Sequence, residues 1–161
     1  MYGIGSLITK NARYFPDTMA VADVDGSYTY AELNDKVNRV ANFLIFFGME
    51  KGDRLGFVCD NCKEFALLWL ATQKIGVVAV LLNYRATQEE LSRDVRRAHC
   101  KGLFYAPQWK EIISRRDIAS SDVRFLISFG SDLYDGHISL DYICSVARND
   151  EPEVEIKETD L

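Results

Sequence analysis

The chain has no run of lysine and arginine, no GxxxxGK element followed by Ser or Thr, and no apolar stretch of about 18 residues. The first absence, with a net charge of -5, argues against a basic stripe for nucleic acid. The second excludes a Walker-type phosphate loop. The early pair Gly3 and Gly5 follows no strand, and a dinucleotide fold would need glycines between Cys59 and Glu64, where there are none. The third leaves no transmembrane helix to expect. The opening MYGIGSLITKNARYF is too polar for a secretory signal, and its spacing is helical. Four cysteines, Cys59, Cys62, Cys100 and Cys144, follow no framework spacing, so reduced thiols in a cytoplasmic protein are expected. Cys59-Asp60-Asn61-Cys62 is a CxxC at a strand–helix junction, where thioredoxin-like proteins keep a redox pair. Capping residues between the two, and an inward-pointing Cys59, favour a structural reading. A zinc site would need a second ligand pair, which His99-Cys100 supplies poorly.

What is present reads as one α/β domain. The stretch 52–83 organises it. Arg54–Cys59 is a short apolar run ending at the capping types Asp60-Asn61, and Lys63–Ile75 has almost no polar face, as a largely buried helix requires. Gly76 is placed to end that helix in the left-handed region, and Val77–Leu82 suits a strand covered on both faces. Strand, helix and strand make a βαβ unit. Before it, residues 4–14 form a short amphipathic helix, and Ala20–Val24 and Ser27–Tyr30 flank the turn Asp25-Gly26 as a hairpin. Thr29 and Glu32 are spaced as a capping box for a helix with Leu33, Val37, Val40, Ala41 and Leu44 on one stripe. After it, Thr87 and Glu90 repeat the capping box, and Gly102 breaks the pattern before a strand at Leu103–Ala106. A strand at Val123–Ser128, a polar loop at Gly130–His137 and a helix at Ser139–Ala147 complete the order. The expected fold is a largely parallel sheet with helices on both faces and an N-terminal hairpin. Residues 1–148 form the domain, and 149–161 is an acidic linker without core periodicity.

Sheets of this kind bind ligands at the carboxyl ends of their strands. Among those ends, Asn83-Tyr84-Arg85 combines an amide, an aromatic face and a guanidinium just before a helix N-terminus, a mix suited to an anion or a planar ring. The structural alternative is that Asn83 turns the chain, Tyr84 packs, and Arg85 pairs with Glu89 or Glu90. Arg115-Arg116 reads as a solvated helix end, His99 as a helix-terminal charge, and Asp53, Asp60 and Asp135 as turn carboxylates. His137 has no partner that sequence can assign. No nucleophile–base pair stands out.

The segment YTYAELNDKVNRVANFLIFFGMEKGDRLGFVCDNCKEFALLWLATQKIGVVAVLLNYRATQEEL nonetheless resembles, step for step, the N-terminal part of the adenylate-forming acyl-CoA synthetases. The shared pattern is Tyr-Thr-Tyr-x-Glu-Leu, then Gly-Asp-Arg before a strand, then a long apolar helix ending near Gly. A strand closing on Asn-x-Arg and a Thr-x-x-Glu-Leu helix start follow. The resemblance implies an AMP-forming ligase that activates a carboxylic or fatty acid with ATP and Mg²⁺ to an acyl-adenylate and passes the acyl group to CoA. The family's Ser/Thr/Gly-rich phosphate loop is expected just after Leu161. These 161 residues are therefore expected to be inactive alone, to bind ATP, Mg²⁺ and CoA at most weakly, and to partner the remainder of their own ligase chain, with a homo-oligomer as a further option. By approximate alignment, Asn83, Tyr84 and Arg85 lie where relatives approach the pantetheine arm of CoA. A stand-alone binding or interaction domain is the alternative.

Overall fold

A computed structural model of the chain describes residues 3–113, 118, 122–130, 135–157 and 160. Helix α1 (Ile4–Tyr14) precedes a hairpin of β1 (Met19–Asp23) and β2 (Gly26–Thr29), and α2 (Tyr30–Phe46) follows directly. Then come β3 (Arg54–Val58), α3 (Lys63–Ile75), β4 (Val78–Leu81), α4 (Gln88–Arg97) and β5 (Cys100–Tyr105). The last elements are β6 (Phe125–Ser128), β7 (Ile138–Ser139) and α5 (Leu140–Val146). The sheet runs β4-β3-β5-β6-β7 with every neighbouring pair parallel, and the antiparallel hairpin stands apart from it. No helix among the described residues is long and apolar enough to cross a membrane.

Alternation along the strands divides the core in two. Leu55, Phe57, Phe104, Phe125 and Ile127 face α1, α2, α3 and α5, whereas Val58, Leu103, Tyr105 and Leu126 face α4. Helices therefore cover both faces, as expected. Both capping boxes form: Thr29 and Glu32 close the start of α2, and Thr87 and Glu90 that of α4. Gly76 ends α3 at φ 69, in the left-handed region. None of the 13 residues of α3 is exposed, and that includes Lys63 and Lys74.

Two local expectations are corrected. The N-cap of α3 is Cys62, not Asp60 or Asn61; its Sγ accepts from the Phe65 N–H at 3.4 Å. Gly102 does not precede the strand but lies inside β5, because a Cβ there would come within 2.3 Å of the Phe125 ring. After the expected loop Gly130–His137, Ile138 and Ser139 pair with Ile127 and Ser128. Arg115-Arg116 and residues 131–134 lie outside the described residues.

The acidic stretch from 149 has no helix or strand among its described residues, yet it is bound to the body. Lys74, with its side chain 4% exposed, donates to Thr9 Oγ1 (2.7 Å), Asn34 Oδ1 (2.8 Å), Asn38 Oδ1 (2.7 Å) and Glu151 Oε2 (2.6 Å). One ammonium thus joins α1, α2, α3 and the strap. Val154 packs against the core, Lys51 pairs with Asp160, and the Asn42 amide donates to the carbonyls of Arg148 (3.0 Å) and Asp150 (2.8 Å). Helices α1 and α3 cross closely enough that a Cβ on Gly5 would fall 2.7 Å from the Lys74 backbone nitrogen.

The two partners of this ion pair respond differently to their setting. Burial pushes Lys74 down, and Glu151 restores only part of that loss. Burial pushes Glu151 up, but hydrogen bonds from Lys74, Asn34 and Asn38 outweigh it and hold the carboxyl below 4.5. With the Glu151 side chain 46% exposed and four oxygens around Nζ, the charged pair is the state at neutral pH. A depressed carboxyl contributes stability above its unfolded pKa and loses it as pH falls through the folded value. Glu151→Gln is therefore expected to flatten the acid limb of the stability curve below about pH 5. Lys74→Met, which strands the Asn34 and Asn38 oxygens, is expected to cost about 2–4 kcal/mol at pH 7. Urea unfolding of the two variants and the parent from acid to neutral pH checks both.

Candidate functional site

The carboxyl ends of β3, β4, β5 and β6 form one edge of the sheet. Asp60, Asn83, Ala106 and Phe129 follow those strands, and the Gln108 amide bridges two of the ends by donating to Asp60 Oδ1 at 3.3 Å. A short 3₁₀ turn, Pro107–Trp109, starts where Pro107 costs no hydrogen bond. Gly130 lies so near it that a Cβ would fall 2.7 Å from Pro107 Cγ.

The loop singled out in the sequence sits on this edge. Asn83 Oδ1 accepts from the Arg85 N–H at 3.0 Å and its carbonyl from the Ala86 N–H at 3.0 Å, so Asn83 does turn the chain. Tyr84 packs on Trp109, with ring centroids 4.9 Å apart and planes at 60°. The Arg85 guanidinium lies 5.4 Å from the centre of the Tyr84 ring. Glu90 is engaged by Thr87, so the expected Arg85 pairing gives way to a cation–aromatic contact. The result is a ledge: two half-buried rings with an exposed guanidinium above them. Its chemistry is a flat apolar face beside a fixed positive charge.

The other candidates do not join it. His99 immediately precedes β5, at the opposite end of the strands, with φ 52, a side chain 71% exposed and Nδ1 3.5 Å from Asp122 Oδ2. Asp53 accepts from the Glu50 N–H at 2.9 Å and pairs with Lys101 at 2.5 Å. Burial pushes its carboxyl up, but Lys101 and the Glu50 amide hold it below the usual range. His137 has a partner that sequence could not supply, because Tyr105 lies 32 residues away: the phenol oxygen is 2.6 Å from Nδ1 and both groups are buried. Lys74 was also missed, since a lysine in an apolar helix gives no local sign of four acceptors. Among the described residues, no three His, Cys, Asp or Glu side chains converge as a metal would require.

Comparison with known proteins adds a family. A family model described as "AMP-binding enzyme" matches residues 8–155. The chain is 43% identical over 90 residues to a crotonobetaine/carnitine–CoA ligase of Salmonella typhi, covering 53% of this chain and 17% of that ligase. It is 31% identical over 109 residues to the mitochondrial medium-chain acyl-CoA ligase ACSF2 of Mus musculus, covering 66% of this chain and 18% of that protein. The matched region thus spans less than a fifth of either relative. Among solved structures, the N-terminal domain of FACL13 from Mycobacterium tuberculosis superposes with a TM-score of 0.85 at 29% identity, covering 99% of this chain and 40% of that one. Coronafacic acid ligase from Pectobacterium brasiliense shares the fold, with a TM-score of 0.87 at 20% identity over 99% of this chain and 32% of its own.

If the ledge depends on ring packing, Tyr84→Ala should uncover Trp109. In a Trp69→Phe background, Trp109 emission is expected to shift to the red and stability to fall by about 1–2 kcal/mol. An unchanged spectrum would show that Tyr84 does not shield Trp109.

Proposed function

The chain belongs to the AMP-binding enzyme family, and from that membership we propose that it forms the N-terminal part of an ATP-dependent acid–CoA ligase. In that reaction a carboxylate attacks the α-phosphorus of ATP to give an acyl-adenylate and pyrophosphate. The thiol of CoA then displaces AMP to form the thioester. The observation that carries this reading is continuity: residues 8–155 match the family without a break, and nearly the whole chain overlays the FACL13 N-terminal domain. The acid's identity is not written into these residues. The named relatives range from crotonobetaine/carnitine to medium-chain acyl substrates.

The roles proposed for this chain are those of a scaffold and one approach surface. Asn83 sets the turn, and Tyr84 and Arg85 offer CoA an aromatic face and a cation as its arm approaches the reacting carbonyl. The sequence carries no Walker-type phosphate loop, and among the described residues no carboxylates converge as a cage for Mg²⁺. The remainder of a ligase chain is the proposed partner. The outer edge of β4, unpaired among the described residues and with Leu81 66% exposed, offers it a place to dock. We place the protein in the cytoplasm, a compartment that suits four cysteines of which none is locked in a structural disulfide.

On this reading the 161 residues alone give no acid-dependent exchange of pyrophosphate into ATP, whereas the native ligase does. An antibody raised against the chain is expected to detect a protein several-fold heavier than 18.3 kDa in its source. Exchange by the isolated chain would overturn the scaffold role. A native band at the chain's own mass would replace the ligase with a binding domain.

A further inference from the structure

We infer that Cys59 and Cys62 form a reversible dithiol–disulfide centre for low-molecular-mass disulfides, with Cys62 the attacking sulfur and Cys59 the resolving one. The fold brings them together. Strand β3 ends at Val58 and α3 begins at Lys63, so both sulfurs belong to one four-residue connection. Each is half-buried and neither is in a disulfide. Cys62 holds the N-cap of α3, with its Sγ accepting from the Phe65 N–H at 3.4 Å. That position is usually filled by oxygen, and a sulfur serves it best as a thiolate facing the positive end of the helix.

Cys59 supplies the second half. Cys59 lies three residues before Cys62 in the same short connection, and it packs against the core. Thiol–thiol hydrogen bonding between the two raises Cys59, with burial acting in the same direction, and together with the Phe65 N–H it lowers Cys62 against the opposing effect of burial. Asp60 and Glu64 disfavour both thiolates. Lys63 is a poor counter-charge for them, because its Nζ is held by Asp23 at 3.1 Å and Glu64 at 3.2 Å. The asymmetry therefore comes from the pair and the helix. The other thiols have neither: burial pushes Cys100 up to about 11 and also raises Cys144.

The chemistry balances with glutathione disulfide as oxidant. The Cys62 thiolate attacks one glutathione sulfur, the S–S bond breaks, and a glutathione thiolate leaves a mixed disulfide behind. Cys59 gives up its proton to solvent and attacks the Cys62 sulfur. A second glutathione thiolate leaves as the Cys59–Cys62 bond forms. Two electrons pass from the cysteine pair to one glutathione disulfide, yielding two glutathione molecules. Oxidation also leaves the Phe65 N–H facing an uncharged sulfur, so the start of α3 senses the redox state.

The test equilibrates the chain in glutathione buffers, quenches with acid, alkylates free thiols and maps peptides by mass. Across glutathione buffers from fully reduced to fully oxidised, a cross-link within the peptide carrying Cys59 and Cys62 is expected, rising with a two-electron slope as the disulfide fraction increases. Cys59→Ser should trap glutathione on Cys62. Cys62→Ser, which puts a hydroxyl oxygen in place of the capping sulfur and so preserves the start of α3, should not trap it on Cys59. The apparent pKa for Cys62 alkylation should be lower in water than in guanidinium. No cross-link across that range, glutathione held on Cys59, or an alkylation pKa that denaturant leaves unchanged would each overturn the proposal.

Discussion

A lysine ammonium within a helical layer is tolerated only where oxygen surrounds it, so the position of Lys74 dictates where other parts of the chain must lie. Thr9 comes from α1, Asn34 and Asn38 from α2, and Glu151 from a segment 77 residues further on. None of these could move outward without leaving the cation bare. The close crossing at Gly5 brings α1 near enough for the Thr9 hydroxyl to take part. The strap needs no secondary structure of its own because side chains on α2 and α3 satisfy it.

The sheet answers a different demand. Its strands are short, and the helical layer on one face and α4 on the other leave little of it in water. What stays open is the edge where the strands end. There the chain presents a turn fixed by Asn83, two packed rings, a guanidinium and the Cys59–Cys62 loop. A rigid sheet beneath short loops is the arrangement in which a few side chains can be held for chemistry or recognition. The strap tied by Lys74 braces the helical layer, so ordering on one face of the sheet supports the edge used by both.

Much of this was legible because its causes are local. Thr29 with Glu32, Thr87 with Glu90, and Gly76 act within a few residues, and each does what its spacing implies. The parallel sheet with helices on both faces followed from apolar runs bounded by such signals. What stayed hidden depends on distant partners. Gly102 reads as a breaker until Phe125 is laid across it, and the acidic strap reads as a linker until Glu151 is seen to be the anion that Lys74 needs. The Tyr105–His137 pair spans two segments whose adjacency only the sheet creates. The site residues divide in the same way. The turn at Asn83 was readable, but Trp109, which supports Tyr84, comes from beyond β5.

The α3 cap is the instructive disagreement. Asp60 and Asn61 are better capping residues than cysteine, yet the helix begins one residue later than they would start it. Asp60 accepts from Gln108, which ties the end of β3 to the turn after β5. The chain needs Cys59 through Asn61 to leave the buried strand, and by the time it can turn into a helix the next side chain is Cys62. A weaker neutral acceptor has thus been placed where an oxygen was available one step earlier. Its deficit is smallest when the sulfur carries charge, and the neighbouring Cys59 thiol is positioned to favour that state. A cap of this kind ties the start of a helix with no exposed residue to the ionisation and oxidation of one sulfur, a dependence that serine at the same position would not have.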